Sequence, residues 1–537
     1  MKQIIYTAAR LALGMAVGMG SLLTASAEKL VILHTNDTHS MIDPASDGMG
    51  GVLQRKAIID SVRKAEKNVL LVDAGDAVQG TLYFNFFKGE VEEPLMNMMG
   101  YDVQILGNHE FDNGMEALRK MMDNVKAAKL SANYDFTGTP LEGVFEPYVI
   151  KKVGGKKVGF IGLNIDPSSI IAADNYKGLK FKEVIPVANQ TAEFLKDKKG
   201  CDIVVAVTHI GAIKENDKTI DYELAAASKD IDIIIGGHSH TIITPGTTEG
   251  ATPAIVNNAE GRPVLVCQTG RYGKYLGYIK IDLDKLGKES AADFDNKLIP
   301  VTDRFPESSF DKKMVEFIAP YKAKLKEADE HVIGYAPEYM DANARTGRYV
   351  NWAGDFAKWY GDVKADSLRA AGVEMPRVDF GMMNVGGIRH NLSAGDVTEG
   401  KILATFPFSN HVVLTRIKGK DFIEAMRVAA RKGGEAISDE IRVVSDPEGN
   451  LLYVLLNDEE MDPEKDYLMS TIDYLAWGND DFVSLANGKI LWRDTLESAA
   501  PIMRYIGQLT RYGLPVEGDP RARFVKYPRS IANEEGK

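Results

Sequence analysis

The sequence predicts an α/β protein with two domains joined by a helix. Short, continuous apolar runs alternate with helix-like stretches in the first half, and further apolar runs follow residue 332. Continuous apolar runs are typical of buried strands, and their alternation with helices indicates sheets that are covered by helices. The chain has 537 residues, which exceeds the length of one ordinary domain.

Each apolar run of the first half ends in a polar, glycine-rich corner. The predicted strands are residues 30–33, 69–72, 103–106, 158–163, 203–207 and 231–235. Helices are predicted at residues 115–128 and 187–198, between these runs. Ligands of α/β sheets gather at strand ends, so the corners form the predicted functional region.

The character of the chain changes after residue 302. Residues 306–330 are charged and carry apolar side chains at helical spacing, which predicts a linker helix within residues 303–331. The apolar positions are Met314, Val315, Phe317, Ile318, Tyr321 and Leu325. A second α/β domain is predicted over residues 332–537, with strands at 378–382, 412–417, 441–444 and 451–456.

The N-terminus has the pattern of a secretory signal peptide. Residues 1–27 contain Lys2 and Arg10, an apolar stretch over residues 11–23 and an Ala25-Ser26-Ala27 cleavage site. We therefore expect export to the periplasm or the extracellular space and a first domain over residues 28–302. The mature chain shows no transmembrane segment in its sequence, and the hydrophilic residues 530–537 lack the apolar tail of a glycolipid-anchor signal.

Charge and cysteine usage restrict the partners. The formal net charge is −12, and no basic run is present, which argues against binding to a nucleic acid polymer. A small anion can still bind at a local positive site. Cys201 and Cys267 both adjoin apolar runs, so buried free thiols are predicted in preference to a disulfide. The sequence leaves the oligomeric state open.

Five corners combine carboxylates, imidazoles and one amide. They are Asp37-Thr38-His39, Gly75-Asp76, Gly107-Asn108-His109-Glu110, Thr208-His209 and Gly236-Gly237-His238-Ser239-His240. Imidazoles mixed with carboxylates suit zinc, manganese or iron better than magnesium. The candidates outnumber the ligands of one tetrahedral ion. Two ions about 3.5–4 Å apart that share a carboxylate would use them, and such a pair serves in-line phosphoryl displacement. The corners therefore indicate phosphoesterase chemistry.

The ordered set of corner motifs resembles the calcineurin-like metallophosphoesterase superfamily. It is carried by His34-Thr35-Asn36-Asp37-Thr38-His39, the Gly-Asp pair, Gly107-Asn108-His109-Glu110-Phe111-Asp112, the Thr-His pair and Gly237-His238-Ser239-His240. With the segments 384–389, 407–410 and 474–480, the chain resembles more narrowly the exported 5′-nucleotidase / UDP-sugar hydrolase family. The resemblance implies an N-terminal sandwich of two sheets flanked by helices, a linker helix and a C-terminal α/β nucleotide-binding domain.

The resemblance also implies two sets of metal ligands that share Asp76. One ion is expected at Asp37, His39, Asp76 and His240, and the other at Asp76, Asn108, His209 and His238. Two divalent ions are expected, zinc or manganese in the first place, with cobalt or iron as alternatives. His109 is expected to face the phosphate and Asp112 to orient it, while Glu110 is expected to be a structural hydrogen-bond partner.

The second domain is expected to hold the substrate. The implied contacts are Arg348, Asn384, Gly386, Gly387, Arg389, Phe408, Asn410, Tyr474 and Asp480, with Arg345 as an alternative to Arg348. Phe408 and Tyr474 would stack on a nucleobase, and Asp480 would accept hydrogen bonds from the ribose. This chain has Tyr474 where phenylalanine is usual in the family, and Asn479-Asp480-Asp481 where Gly-Asp-Gly is common.

The resulting prediction is metal-dependent hydrolysis of nucleoside 5′-monophosphates, with nucleotide sugars or other nucleoside diphosphate esters as further substrates. Asp112 favours a monoester or pyrophosphate substrate, since relatives that act on 2′,3′-cyclic nucleotides often carry a different residue there. A cyclic phosphodiesterase / 3′-nucleotidase and a dinucleotide pyrophosphatase stay open as alternatives. A secreted nucleotide-binding protein without catalysis is the non-enzymatic alternative, and it would require a missing ligand.

Overall fold

The structure is a computed structural model that describes residues 28–45, 47–168, 170–214, 218–243 and 254–527. The predicted signal peptide, residues 1–27, and the C-terminal residues 530–537 lie outside the described residues. The described chain forms mixed sheets and helices in two parts, which are joined by the helix Lys312–Glu330. The predicted fold class is thereby confirmed.

Two sheets form the first part. One has the strand order Asp295–Pro300, Tyr275–Asp282, Lys29–Thr35, Val69–Asp73, Val103–Ile105 and Ala128–Leu130. The other has the order Ile242–Ile243, Pro263–Thr269, Ile233–Ile235, Ile203–His209, Lys156–Asn164 and Tyr148–Val153, and Ile255–Asn257 pairs with Pro263–Thr269. Tyr134–Asp135 pairs with Lys180–Phe181. The strands that precede the corners run parallel in each sheet.

The first strand shows why the apolar runs are continuous. Leu30 and Ile32 pack in a core that also contains residues of the second sheet, whereas Val31 and Leu33 pack against helices on the opposite face. Successive side chains of a strand point to opposite faces, so a strand that is covered on both sides must be apolar throughout.

Helices cover the sheets of the first part. They are Val52–Ala65, Leu82–Phe87, Glu92–Met99, Gly114–Asp123, Val184–Glu193 and Asp221–Ala227, with short 3₁₀ turns at His109–Phe111, Ala173–Tyr176, Ala291–Asp293 and Glu307–Ser309. Asp311 precedes the linker helix as its N-cap, and its carboxylate accepts hydrogen bonds from Lys313 N and Met314 N. Met314 and Ile318 bury this helix against the core of the first part.

The second part has its own core and sheets. Its larger sheet has the order Ala436–Ile437, Phe380–Met383, Asp466–Ile472, His411–Lys418 and Lys489–Glu497, and another has the order Glu459–Glu460, Leu451–Leu456, Ile441–Ser445 and Phe524–Lys526. Val332–Ala336 pairs with Gly395–Thr398. The helices are Arg348–Ala370, Glu399–Thr405, Gly419–Lys432, Asp473–Ala476 and Ala499–Arg511, with 3₁₀ turns at Val385–Gly387 and Val483–Asn487.

The structure corrects two predicted helices. The helix predicted at 115–128 ends at Asp123, because the chain turns there and Ala128 pairs with the neighbouring strand at Val103. The helix predicted at 187–198 begins earlier, at Val184, and its last turn, Phe194–Lys198, is a π-helix.

The cysteines and the helix lengths bear on two other expectations. Cys201 and Cys267 are free and buried, so the predicted free thiols are confirmed. Among the described residues, no helix combines the length and the apolar character needed to cross a membrane.

Candidate active site

The side chains of the predicted corners converge on one place. Within each of three groups, the candidate ligand atoms lie within 4.8 Å of one another. The groups are Asp37, His39 and His240; Asp76, His209 and His238; and His39, Asp76 and His109. Parallel strands end at a common sheet edge, so corners that are far apart in the chain can meet there.

Asp76 belongs to two of the three groups. Its Oδ2 lies 3.1 Å from His209 Nε2. On the other side, Asp37 Oδ1 lies 3.4 Å from His240 Nε2 and 3.8 Å from His39 Nε2. The predicted ligand Asn108 joins the cluster through its Oδ1, which lies 2.9 Å from His238 Nδ1. The structure thus brings all the sequence-predicted metal ligands together.

Five of these ligands have a left-handed backbone, which is uncommon for residues other than glycine. Their φ angles are 49° at Asp37, 48° at His39, 53° at Asp76, 74° at His238 and 54° at His240. Each such conformation costs about 1 kcal/mol or more and persists only where the surroundings enforce it. Backbone hydrogen bonds do so here, from Asp37 N to Gly75 O at 2.9 Å and from His39 N to Asp76 O at 3.0 Å.

Two glycines of the corners leave room for the ligands. A Cβ atom at Gly107 would lie 2.1 Å from Asp76 Oδ1, and one at Gly237 would lie 2.7 Å from His209 Nδ1. Real side chains do not approach so closely, so any larger residue would displace Asp76 or His209. These glycines adjoin ligands in the sequence, which is the signal by which they can be found.

The cluster fits divalent metal ions. His39 Nε2 and His240 Nε2 lie 3.0 Å apart, a distance at which two unprotonated ring nitrogens repel unless a proton or a cation lies between them. The buried Nε2 of His209 faces the Asp76 carboxylate, 3.1 Å from its Oδ2. Imidazole and carboxylate donors in one cluster match transition-metal ions.

The pKa shifts of these side chains agree with the binding of metal ions. Burial lowers the pKa of His39 to about 3 and that of His238 to about 4, so both are neutral donors at pH 7. Burial would raise the pKa of Asp76, but His209 and His109 hold it well below its usual value. Burial opposes protonation of His209, yet Asp76 raises its pKa to about 10. A bound cation would replace the proton of this pair, because metal ligands are deprotonated.

Groups that orient the ligands were missed by the sequence analysis. Asn36 Nδ2 donates to Asp37 Oδ2 at 2.6 Å, and Asn36 Oδ1 accepts from Thr269 N at 2.8 Å. The carbonyl of Ala74 lies 2.7 Å from His209 Nδ1 and leaves its Nε2 for the cluster. Such partners fix the orientation and tautomer of a metal ligand. Asn36 stands beside Asp37 in the motif of residues 34–39, but its partner Thr269 is not apparent from the sequence.

Glu110 connects two of the corners. Its carboxylate accepts hydrogen bonds from the backbone N–H groups of Asp76 at 3.1 Å, Ala77 at 2.8 Å and Gly107 at 2.5 Å. Glu110 is buried, and it fixes the backbone that carries Asp76 and Asn108. This geometry is that of a structural partner.

His109 and Asp112 form a hydrogen-bonded pair beside the cluster. His109 Nδ1 lies 2.9 Å from Asp112 Oδ2. Burial lowers the pKa of His109, but Asp112 and Asp76 outweigh this effect and raise it to about 9. The imidazole is therefore positively charged at neutral pH. A fixed positive donor of this kind stabilises negative charge on a reacting phosphoryl group.

A cavity of about 460 Å³ adjoins this pair and is lined by residues of both parts of the chain. From the first part come Asn108, His109, Asp112 and His238. The sequence-predicted substrate contacts that line it are Asn384, Gly386, Arg389, Phe408, Asn410, Tyr474 and Asp480. The lining residues that the sequence analysis missed include Lys432, Trp477 and Arg493.

The second part arranges these contacts through a network around Asp480. Tyr474 OH donates to Asp480 Oδ1 at 3.0 Å, and Asn384 Nδ2 donates to Asp480 Oδ2 at 2.9 Å. Arg389 lies over the ring of Phe408, 5.7 Å from its centroid, and this ring lies 6.2 Å from that of His109. The aromatic side chains, the guanidinium and the carboxylate therefore face the same cavity.

Arg348 and Gly387 do not line the cavity. Arg348 Nη1 donates to Glu517 Oε1 at 2.7 Å and to Gly518 O at 3.0 Å, so its guanidinium is engaged elsewhere. The alternative, Arg345, lies 3.6 Å from the buried Glu435. Gly387 instead supports the turn, because a Cβ atom there would lie 2.5 Å from Asn384 Oδ1.

The two parts contact each other beside the cavity. Lys88 Nζ of the first part donates to Ser409 Oγ at 3.0 Å and pairs with Glu497 at 3.2 Å. Ser409 Oγ in turn donates to Asn113 Oδ1 at 3.1 Å. Ser409 follows Phe408 and Asn113 follows Asp112, so these bonds join the segment that carries Phe408 to the segment that carries the His109–Asp112 pair.

Comparison with known proteins agrees with this geometry. The calcineurin-like phosphoesterase family matches residues 30–241, and the 5′-nucleotidase C-terminal domain family matches residues 332–487. The human 5′-nucleotidase is 30% identical over 463 residues, which cover 81% of this chain and 78% of that protein. The mouse 5′-nucleotidase is 29% identical over 540 residues, which cover 92% of this chain and 90% of that protein.

Solved structures show the same likeness. The crystal structure of a 5′-nucleotidase precursor from Thermus thermophilus has a TM-score of 0.75 and 28% identity, and the match covers 93% of this chain and 99% of that one. A putative 5′-nucleotidase from Staphylococcus aureus shares the fold, with a TM-score of 0.71 and 19% identity, and the match again covers 93% and 99%. The chain therefore belongs to the 5′-nucleotidase family, with a calcineurin-like metallophosphoesterase domain, and it is a phosphoric ester hydrolase.

Proposed function

We propose that this enzyme hydrolyses nucleoside 5′-monophosphates to nucleoside and inorganic phosphate. The observation that carries the proposal is the composition of one cavity. Its walls combine the His109–Asp112 pair and the adjoining His/Asp cluster with Phe408, Tyr474 and Asp480. A bound nucleotide would place its phosphate at the cluster and its nucleoside among the aromatic side chains. The relatives named 5′-nucleotidase support the same substrate class.

The His/Asp cluster is proposed to hold two divalent ions. Asp37, His39 and His240 would hold one, and Asn108, His209 and His238 the other, with Asp76 shared between them. When bound, such ions lower the pKa of water and neutralise charge on the phosphoryl oxygens. The nitrogen-rich donor set favours zinc or manganese, with cobalt or iron as alternatives.

The protein's own residues then act on the phosphoryl group and the nucleoside. In the reaction, the oxygen of water bonds to phosphorus as the bond from phosphorus to the 5′-oxygen breaks, and a proton released from the water is taken up by the departing 5′-oxygen. His109 donates a hydrogen bond to a phosphoryl oxygen as charge develops, and Asp112 holds the ring by its Nδ1. A single donor of this type contributes about 10²–10³-fold in kcat. Arg389 supplies a second positive group in the same cavity.

The nucleoside is proposed to lie between Phe408 and Tyr474, with its ribose hydroxyls donating to Asp480. Stacking on an aromatic ring is available to every nucleobase, so we expect broad base tolerance. The network of Tyr474 and Asn384 around Asp480 holds this carboxylate ready for the ribose.

Nucleotide sugars and other nucleoside diphosphate esters are proposed as further substrates. The cavity is also lined by Ile165, Ile170, Ile210, Ile213 and Ile220 of the first part, surface that the proposed monophosphate contacts leave unused. A larger group attached to the phosphate would find apolar contacts there.

A substrate panel tests the proposal. Metal-replete protein is given AMP, UMP, UDP-glucose, 3′-AMP, 2′,3′-cyclic AMP and NAD, and phosphate release is measured, after added phosphomonoesterase where the product is itself a monophosphate. We expect the highest kcat/KM for AMP and UMP. A higher value for 3′-AMP or for the cyclic nucleotide would contradict the proposal and favour the cyclic phosphodiesterase / 3′-nucleotidase alternative. No hydrolysis of any substrate, with tight AMP binding, would favour the non-enzymatic alternative.

We also propose that the enzyme acts outside the cytoplasm. The support is the signal-peptide pattern of residues 1–27. N-terminal sequencing of the protein from its native source is expected to begin at Glu28, and an intact Met1 would contradict export by this route.

A further inference from the structure

We propose that Lys432 positions Asp480 and thereby sets the enzyme's preference for the ribose diol. This inference rests on the proposed hydrolysis of nucleoside 5′-monophosphates and deepens it. Lys432 lines the substrate cavity but belongs to none of the motifs that identified the site.

The loop that carries Asp480 is strained. Asp480 has a φ of 55° and Asp481 a φ of 66°, so two consecutive residues with side chains have the left-handed backbone. Each such residue costs about 1 kcal/mol or more unless contacts outside the loop offset it. The position of the Asp480 carboxylate therefore depends on what holds the loop.

Lys432 contacts both strained residues. Its Nζ donates to the carbonyl oxygen of Asp480 at 2.6 Å and lies 2.9 Å from Asp481 Oδ2. The same ammonium lies 5.2 Å from the ring centroid of Phe482, which is fully buried. One cation thus contacts three successive residues and restrains both the backbone and the side chain of the loop.

The ammonium is itself held on a rigid element. Lys432 is the last residue of the helix Gly419–Lys432, and Gly433 ends that helix with a φ of 91°. A cation is favourable at the carbonyl end of a helix. The side chain of Lys432 is 28% exposed and that of Asp481 is 49% exposed, so solvent partly screens this ion pair.

The restrained loop fixes the carboxylate that the side chains of both Tyr474 and Asn384 contact. Each oxygen of Asp480 accepts one hydrogen bond, from Tyr474 OH or from Asn384 Nδ2. A carboxylate oxygen accepts more than one hydrogen bond, so both retain capacity for ribose hydroxyls. Two fixed acceptors suit a 2′,3′-diol, and a 2′-deoxyribose would satisfy only one. Release of the loop by loss of Lys432 would let the acceptors move and would weaken this distinction.

The ammonium also balances local negative charge. Asp480, Asp481 and the buried Glu435 lie near one another. Burial raises the pKa of Glu435 to about 7, and the Asp480 charge adds to this effect. Without Lys432, the Asp481 carboxylate would be unpaired beside a cavity that must accept an anionic nucleotide. Both effects of Lys432 therefore act on nucleotide binding, and neither acts on the phosphoryl group.

The test compares Lys432→Met, Lys432→Arg and the control Arg431→Met in the full-length, metal-replete enzyme. Arg431 is the preceding residue of the same helix and is exposed, so its variant removes an equal charge outside the cavity. The substrates are AMP, 2′-deoxy-AMP and p-nitrophenyl phosphate, which has no ribose. KM and kcat are measured for each.

For Lys432→Met we expect KM for AMP to rise about tenfold, as for loss of one charge-assisted hydrogen bond, with kcat within about twofold. The preference for AMP over 2′-deoxy-AMP should fall to within about twofold of unity, and hydrolysis of p-nitrophenyl phosphate should not change. Lys432→Arg should recover most of the preference, and Arg431→Met should behave as wild type.

Three results would overturn the inference: an unchanged preference in Lys432→Met, a lowered kcat for p-nitrophenyl phosphate, or the same loss in Arg431→Met. If Lys432→Met does not fold, Asp481→Asn tests the same clamp, because it removes the ion pair and leaves the bond to the Asp480 carbonyl. The preference for AMP over 2′-deoxy-AMP is then expected to fall, because both substrates carry the same charge and only the position of the Asp480 acceptors differs, and an unchanged preference overturns the inference. Failure of the proposed function looks different, since the wild-type enzyme would then cleave p-nitrophenyl phosphate but not AMP.

Discussion

Replacing Asp112 by asparagine tests whether the His109–Asp112 pair acts on the transition state. The 2.9 Å bond from His109 Nδ1 to Asp112 Oδ2 both orients the ring and favours its protonated form. Asparagine keeps the size of the side chain and removes the charge. We expect kcat for AMP to fall while KM and metal content stay near their wild-type values, because an interaction made only in the transition state affects kcat alone.

The size of the loss follows from the pKa of His109. A pKa of about 9 leaves the ring about 99% protonated at pH 7, whereas an ordinary pKa of about 6.5 would leave about a quarter protonated. The charge effect is thus about fourfold at pH 7, about 1.3-fold at pH 6 and about 30-fold at pH 8. Loss of ring orientation adds a factor of about ten or more. The total expected loss at pH 7 is therefore on the order of 40-fold or more.

The assay is phosphate release from AMP by metal-replete protein at pH 6, 7 and 8, with metal content measured on the same samples. Asp123→Asn is the matched control, because Asp123 is exposed and pairs with Arg119 away from the cavity. The reasoning would be refuted by kcat within twofold of wild type at pH 8. A loss that is equal at all three pH values would refute the charge argument and leave only orientation.

Three further predictions concern the metals, the base and the stability. Asp76→Asn should lose both ions because this carboxylate belongs to two ligand groups, whereas His240→Ala should lose mainly one; equal losses on metal analysis would contradict the shared role. Phe408→Ala should raise KM for AMP about tenfold and spare p-nitrophenyl phosphate, since stacking contributes about 1–3 kcal/mol, and an unchanged KM would exclude stacking there. Burial raises the pKa of Glu93 to about 8. The unfolded chain therefore releases this proton at a lower pH than the folded protein does, and the free energy of unfolding falls as the pH rises from about 4.5 to 8. Glu93→Gln should remove this pH dependence, which amounts to up to about 1.4 kcal/mol in the free energy of unfolding per pH unit. If the melting temperatures of the wild type and the variant change equally with pH, the prediction is contradicted.

The parts of the site that could be predicted from the sequence are local. An apolar run followed by a polar corner is a property of about ten neighbouring residues, and the parallel strands then carry the corners to one edge. His109 and Asp112 are three residues apart around one 3₁₀ turn, His109–Phe111, so their pairing also follows from local structure. The set of candidate ligands could therefore be read in order along the chain.

The parts that the sequence analysis missed depend on distant partners. Arg348 was predicted to contact the substrate, but its guanidinium is held by Glu517, 169 residues further along the chain. Lys432 contacts Asp480 across 48 residues, and no motif connects them. The helix predicted to continue to residue 128 ends at Asp123, because the following segment pairs with a strand.

The sequence by itself determined the fold class and the family and predicted the types of candidate ligand, because apolar periodicity and the polar corners are properties of neighbouring residues. The tertiary structure alone decided which side chains share a cavity, since Phe408 reaches His109 only when the two parts of the chain pack together. It also decided the charge states, such as the raised pKa of His109 and the lowered pKa of His39. The physical reason is that burial and charge act through space, so their effect depends on neighbours that only the packed fold brings into contact.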